Sequence, residues 1–499
     1  MSRSRFVEFA SQIPENMVMP SRDELEKMAS HQNISNELGN PLFHTKISAR
    51  SAAFTHVLTS EDEENKTVIN QVFEHIKPEN YVLMKLQIGQ SDEIKLSCSF
   101  LVDKNKTNIP LMLQHNFFHR AKDDKIDADI LTLYVPDFFV NNERRVIVDP
   151  KERITYVLGI DYYGEAKMSL LRMAMEIMRE DRDGLGLHAG SKVIKLKVDG
   201  KIKNHGMLIY GLSGTGKTTL TCHNHNLRDP EGVVILQDDI NLITKDGKVY
   251  GTENGFYVKC DSFPEHKLLT KATTSKGNIL ENVFVNDDGT IDWKNFSISS
   301  NTRAVVSRKT IDGTADYIDL PELNFILYNT RRSELPPIGR LVSPHQSAAY
   351  YGFGESIITS AEDASRAGEA KRVVGFDPFI LGEHSKNINK MADIIAKVEN
   401  LQTFVVNTGY VGDESINIGV EDTSYFLEAA LRGEIEWELD EDLGYEIPKS
   451  VKGKPLGKFS PRGYFGDEKY KELMKNLREE RTAYLKQYEG IREEIINSI

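Results

Sequence analysis

Apolar and polar residues alternate through Tyr81–Val102 and again through Ile130–Val135, a period of two that predicts strands. Between Ala166 and Arg179 the period changes. Met168, Leu171, Met175 and Met178 recur three and four residues apart, the spacing of one helical face, and Arg179-Glu-Asp-Arg-Asp-Gly184 reads as the loop that ends the helix. Strand-like runs return at Val193–Val198 and Gly206–Tyr210, followed by a β-rich stretch from Val233 to Val306. Within that stretch Lys245-Asp-Gly-Lys248 and Asn286-Asp-Asp-Gly-Thr290 carry hairpin turn chemistry. Near the end, Tyr470, Leu473, Leu477, Tyr484, Tyr488, Ile491 and Ile495 form a stripe flanked by Glu, Lys and Arg, which predicts a C-terminal helix docked on the body of the protein. A coiled-coil partner helix fits less well, since Arg481 interrupts the stripe. The charged run Ser60–Lys66 reads as a solvated loop or a helix start.

The order of these elements describes an α/β protein of two domains. A soft boundary lies near Ser191–Asn204, dividing an N-terminal mixed α/β part (1–195) from a second part that carries the glycine-rich segment Gly211–Thr218 and ends in the C-terminal helix (196–499). A chain of 499 residues is long enough for two or three packed units. Its 62 basic against 75 acidic side chains give a net charge of −13, which argues against a nucleic-acid backbone as partner but leaves room for a local basic pocket and a small anionic substrate. Cys98, Cys222 and Cys260 are scattered and form no CxxC pair, so neither a disulfide framework nor a zinc site is expected. No run approaches the roughly 20 apolar residues a membrane helix needs, and the N-terminus lacks a secretory core. The expectation is a cytoplasmic protein with no membrane or nucleic-acid partner.

The chemistry is concentrated in Gly211-Leu212-Ser213-Gly214-Thr215-Gly216-Lys217-Thr218, followed by Thr219, which satisfies the phosphate-loop pattern at every required position. The strand-like run Met207–Tyr210 precedes it and a helix start follows, the context such a loop requires. Glycines let successive N–H groups face one concavity, and the helix start adds positive potential. Lys217 would reach the β- and γ-phosphates, and the Thr218 hydroxyl would ligate Mg²⁺. The plain alternative is a turn that only reverses the chain. A second strand, Val233–Gln237, runs into Asp238 and Asp239 about twenty residues later, where a metal-binding carboxylate pair belongs.

At these residues the chain resembles ATP-dependent phosphoenolpyruvate carboxykinases, whose loop reads the same over Gly211–Leu220. The resemblance continues in family order through Glu253-Asn-Gly-Phe-Tyr-Val-Lys259, Leu280-Glu-Asn-Val283, Gly289-Thr-Ile-Asp292, Asn301-Thr-Arg303, Leu335-Pro-Pro-Ile-Gly-Arg340 and Val406-Asn-Thr-Gly-Tyr410. It implies a two-domain fold and the conversion of oxaloacetate and ATP to phosphoenolpyruvate, ADP and CO₂. It also implies two cations: Mg²⁺ carried by the nucleotide and a second ion, commonly Mn²⁺.

Carried over residue by residue, the resemblance makes Arg50 a substrate arginine, Arg303 the arginine near the transferred phosphate and Tyr162 the lining of the substrate and CO₂ site. It makes His188 and Asp239 ligands of the second cation, Asp238 the organiser of the water around a metal, Lys259 a further phosphate-neutralising group and Thr423 part of the nucleoside region. Each has a plainer reading: a surface arginine at 50, core packing at Tyr162, a structural histidine at 188. Two departures stand out. The family's metal-ligand lysine aligns with Met168, a poor donor to Mn²⁺. The neighbouring Lys167 is rotated by about 100° on a helix. Asp413-Glu-Ser-Ile416 also replaces the family's Gly-Lys-Arg near the adenine. These departures keep open a kinase of the same fold that phosphorylates another small acceptor, and a nucleotide-binding regulator without turnover. Met168 motivates the former; the joint presence of Lys217, Thr218, Asp238, Asp239 and Arg303 weighs against the latter.

Overall fold

The computed structural model describes residues 2–46, 54–212, 214–261, 263, 266–358, 366 and 368–499. The chain divides into two compact units, each built from two separate stretches: 1–177 with 252–314, and 178–251 with 315–499.

In the first unit a seven-stranded mixed sheet carries the alternating segments. Tyr81–Ile88 pairs antiparallel with Leu96–Asp103, which runs parallel to Ile130–Val135. Phe6, Val72, Tyr81, Leu83, Leu101, Leu133 and Tyr156 bury one face of this sheet against the helices Ser2–Ser11 and Glu63–His75. The second helix is capped by Asp62, whose carboxylate accepts from the Asn65 N–H, so the charged run from Ser60 is a helix start. A separate four-stranded sheet joins Leu42–Phe43, Ile279–Glu281, Arg303–Val306 and Phe256–Lys259, in that order. The turn at 286–290 connects the antiparallel pair Phe284–Val285 and Ile291–Asp292, as its composition predicts.

The second unit is organised on an eleven-stranded sheet. Its central segments Met207–Tyr210, Phe325–Thr330 and Gln402–Asn407 are parallel and buried on both sides, as parallel strands require. Leu185–Val198 is one long strand that pairs antiparallel with Lys201–Tyr210 through the turn at 199–200. The boundary read from the sequence at 195/196 therefore falls inside a strand of this unit. Composition changes there because the hairpin end is exposed, from Lys201 to Asn204, whereas its base is buried. The turn at 245–248 joins Ile240–Ile243 to Val249–Gly251, again as predicted.

Helix Tyr163–Asp181 covers the predicted helical segment. The C-terminal stripe resolves into helix Asp467–Leu485 and a short turn of helix at Glu493–Ile496, with Tyr470, Met474, Leu477, Leu485 and Ile495 buried in the core of the second unit. Arg481 lies in that buried row because Glu355 meets it: its guanidinium donates to Glu355 Oε1 at 2.7 Å and to the Tyr350 hydroxyl at 2.8 Å. No described helix is long and apolar enough to cross a membrane.

Candidate active site

The phosphate loop leaves the strand Lys201–Tyr210 and enters the helix Lys217–Cys222. Gly214 and Gly216 take φ of 88° and 82°, a left-handed backbone that a side chain would strain. Gly211 is required for a different reason: a Cβ there would stand 2.3 Å from Thr215 Oγ1. Thr215 is buried, and its hydroxyl closes the turn by donating to the Leu212 carbonyl at 2.8 Å. The Thr408 hydroxyl in turn donates to the Thr215 carbonyl at 2.8 Å, tying the loop to the end of a parallel strand. Leu212 packs its side chain into the core, so its part in the loop is played by its backbone. Thr218 and Thr219 are half-buried on the first turn of the helix. Ser213 lies outside the described residues.

Strand register explains the acidic pair. Gly232–Gln237 and Ile240–Ile243 both pair with the long strand Leu185–Val198, with Gln237 opposite Ser191 and Ile240 opposite His188. Asp238 and Asp239 occupy the two-residue break between these ladders, next to His188. His188 Nε2 is 2.9 Å from Asp239 Oδ1, and Lys217 Nζ is 3.4 Å from the same oxygen. His188 Nδ1 meets the Phe376 carbonyl at 2.9 Å, a contact that needs the proton on Nδ1 and aims Nε2 at the carboxylate. A ring nitrogen and a carboxylate oxygen brought this close fit a divalent metal as a pair. Among the described residues no group of three or more His, Cys, Asp or Glu is arranged to hold one. Asp238 is buried.

Arg303, Tyr162 and Lys259 lie in the first unit. Arg303, on the strand Arg303–Val306, points Nε at the Tyr162 hydroxyl at 3.5 Å and lays its guanidinium 5.4 Å over the Tyr257 ring. Tyr162 reaches this position because residue 164 is glycine; a Cβ there would sit 2.3 Å from the Tyr162 ring. Beneath them the Tyr257 hydroxyl donates to Glu281 Oε2 at 2.6 Å, and the Tyr163 N–H donates to Glu281 Oε1 at 3.0 Å. Glu281 is fully buried, and loss of hydration pushes its carboxyl up to about 7 despite these donors and the Arg303 charge. Lys259 Nζ pairs with Asp261 at 3.0 Å.

At the departure from the family pattern, Lys167 is 1% exposed and bridges to Glu253 Oε1 at 3.1 Å, an oxygen that also accepts from Asn116 at 2.6 Å. Lys167 is thus engaged inside the first unit, and Met168 beside it is buried. Thr423 is buried on the helix Val420–Leu431 with its hydroxyl donating to the Gly419 carbonyl at 3.0 Å. Arg50 lies outside the described residues. Sequence reasoning missed Tyr257, Glu281 and Glu253. Glu253 and Glu281 belong to the Glu253–Lys259 and Leu280–Val283 segments, where an acidic residue beside an apolar run was the available signal.

Comparison with known proteins gives one answer. The family described as phosphoenolpyruvate carboxykinase matches residues 54–456. A protein named phosphoenolpyruvate carboxykinase (ATP) from Aeropyrum pernix is 36% identical over 442 residues, covering 89% of this chain and 88% of its own. Proteins of the same name from Bacillus cereus and Bacillus anthracis are 28% identical over 469 residues, covering 88% of this chain and 83% of theirs.

Proposed function

Because this chain belongs to the ATP-dependent phosphoenolpyruvate carboxykinase family, we propose that its two residue clusters divide that family's reaction between them. The reaction is oxaloacetate plus ATP to phosphoenolpyruvate, ADP and CO₂, and it uses ATP and divalent metal. Lys217 and the backbone of Gly211–Thr218 bind the β- and γ-phosphates, with the Thr218 hydroxyl and Asp238 serving Mg²⁺ and its water. His188 and Asp239 hold the second cation, for which Mn²⁺ suits a nitrogen and an oxygen donor. When bound, that cation supplies charge neutralisation for phosphoryl transfer. Arg303 places a fixed positive charge where the transferring group accumulates negative charge, and Tyr162 orients the acid substrate. Lys259 adds positive charge, Arg50 pairs with a substrate carboxylate, and Thr423 lies toward the nucleoside. A cytoplasmic location fits the three buried free thiols.

The observation that carries this reading is the meeting of His188 Nε2 and Lys217 Nζ on one oxygen of Asp239. A metal ligand and the phosphate-loop lysine share one carboxylate there, the arrangement needed where a cation and a phosphate are held together. The test is formation of phosphoenolpyruvate from oxaloacetate with ATP, Mg²⁺ and Mn²⁺, with Lys217→Ala as the blank. Product that falls on the order of 10²–10³-fold in Lys217→Ala supports the assignment. Met168 supports one other reading, a kinase of the same fold acting on a different small acceptor. Folded wild-type protein that binds ATP and yields no phosphoenolpyruvate would favour it.

A further inference from the structure

The long strand Leu185–Val198 presents alternate residues to opposite faces. Leu187, Ala189 and Val193 enter one core, whereas Ile194 and Leu196 enter another that also contains Leu220 of the phosphate-loop helix. His188, Gly190 and Lys192 share the face of Ile194 and Leu196, spaced over about 13 Å of strand.

Each of the three meets a different part of the nucleotide site. His188 meets Asp239 at 2.9 Å. Gly190 lies under the phosphate-loop helix so closely that a Cβ would stand 2.2 Å from Thr221 Oγ1 and 2.9 Å from Thr221 Cγ2. That same hydroxyl donates to the Lys217 carbonyl at 2.8 Å, which links the contact to the residue that would bind phosphate. Lys192 is fully buried. Its ammonium donates to the Leu220 carbonyl at 2.5 Å and to His225 Nε2 at 2.8 Å, and approaches the His223 carbonyl at 3.5 Å. These carbonyls belong to the last turn of the phosphate-loop helix and the residue after it. His225 faces Glu428 Oε1 with its other ring nitrogen at 3.4 Å.

A lysine is an expensive way to fill such a place. Burial lowers its pKa to about 7, and among the described residues no carboxylate is paired with it; Glu428, beyond His225, and Cys222 offset the loss only in part. A short apolar side chain would fill the volume without that cost, so the ammonium is retained for what it holds: the C-terminal end of a six-residue helix whose other end carries Lys217 and Thr218.

We propose that Lys192 and Gly190 are positioning residues for the nucleotide phosphates, setting how far the phosphate-loop helix stands above the strand that carries His188. Gly190 sets the closest approach, and Lys192 pulls the far end of the helix down to it. One strand face thereby fixes the separation between Lys217 and Thr218 on one side and the metal ligands His188 and Asp239 on the other. The inference rests on residues 211–218 binding phosphate.

The test is a double-mutant cycle in the full chain, read as kcat/KM for MgATP and, separately, for oxaloacetate. Gly190→Ala forces a displacement of roughly 1 Å between strand and helix, and kcat/KM for MgATP should fall on the order of 10- to 100-fold. In a Thr221→Ala background, where the opposing hydroxyl and methyl are gone, the same substitution should cost less than about threefold. Lys192→Met should raise the KM for MgATP on the order of tenfold and leave the KM for oxaloacetate within about twofold. Equal cost of Gly190→Ala in both backgrounds would overturn the proposal. So would an unchanged KM for MgATP in folded Lys192→Met protein, or parallel losses for both substrates. Lys217→Ala is run alongside: if it leaves MgATP binding intact, the phosphate-loop assignment itself fails. If it abolishes binding while Gly190→Ala and Lys192→Met do not affect it, only the positioning role fails. Should Lys192→Met not fold, the Gly190 cycle alone decides.

Discussion

Replacing Glu281 with glutamine should stabilise this protein above neutral pH and have little effect in mild acid. Glu281 is fully buried on the strand Ile279–Glu281, directly across the ladder from Arg303. Burial raises its carboxyl from 4.5 to about 7, so the folded state prefers the protonated acid. That preference contributes stability that is fully present below the unfolded pKa of 4.5 and is lost as pH rises through 7. A difference of this size amounts to about 3 kcal/mol once both states are ionised at pH 8, and to about 1 kcal/mol at pH 5. Glutamine reproduces the protonated form: its carbonyl can accept from the Tyr163 N–H, and its amide can donate to the Tyr257 hydroxyl. Urea unfolding of both proteins at pH 5 and pH 8, followed by far-ultraviolet circular dichroism, measures the difference. The variant should exceed the wild type by about 3 kcal/mol at pH 8, with most of the gap closed at pH 5. A gap that does not change with pH, or one that widens toward acid, would show that Glu281 enters the fold as a carboxylate and that the Arg303 charge outweighs its burial.

Lys167→Met removes one partner of the buried Lys167–Glu253 bridge and should cost about 3–5 kcal/mol in unfolding experiments, most of it recovered by adding Glu253→Gln; a neutral single variant would contradict the pairing. Met168→Lys should increase Mn²⁺-dependent turnover if the second-cation site lacks a donor, whereas an unchanged Mn²⁺ titration would mean the site is completed by other residues. Gly164→Ala should push the Tyr162 ring aside, lowering kcat/KM for oxaloacetate about tenfold while the KM for MgATP holds, a split that steady-state kinetics would reveal.

The cluster around Lys217 and Asp239 was legible because its parts are local. Gly211–Thr218 is one turn, and Asp238-Asp239 ends a short apolar run, Val233–Gln237, about twenty residues after it. Helix Tyr163–Asp181 and the strands from Tyr81 to Asp103 were likewise written in their periods. The cluster around Tyr162 was not, since its contacts join residues far apart in the chain: Tyr162 with Arg303, Tyr163 with Glu281, Lys167 with Glu253. The chain also leaves the first unit at 177 and returns at 252, so a single cut could not describe it. Arg481 shows the same limit in reverse. In the sequence it spoils an apolar stripe; in the fold it is buried, because Glu355 supplies the charge that lets it be.

The strand Leu42–Phe43 has a consequence for how the protein is made. It pairs in parallel with Ile279–Glu281, which itself needs Arg303–Val306 on its other side. A ribosome that has just released residue 43 must add more than 260 further residues before this sheet can close, on the order of tens of seconds of synthesis. Part way through that interval the segment 201–222 emerges from the ribosome as well, while the segment at 42–43 still waits for its neighbours. Chains released early, anywhere before residue 303, would carry an apolar strand with no edge to join, a natural target for chaperones and for the proteases that clear incomplete products.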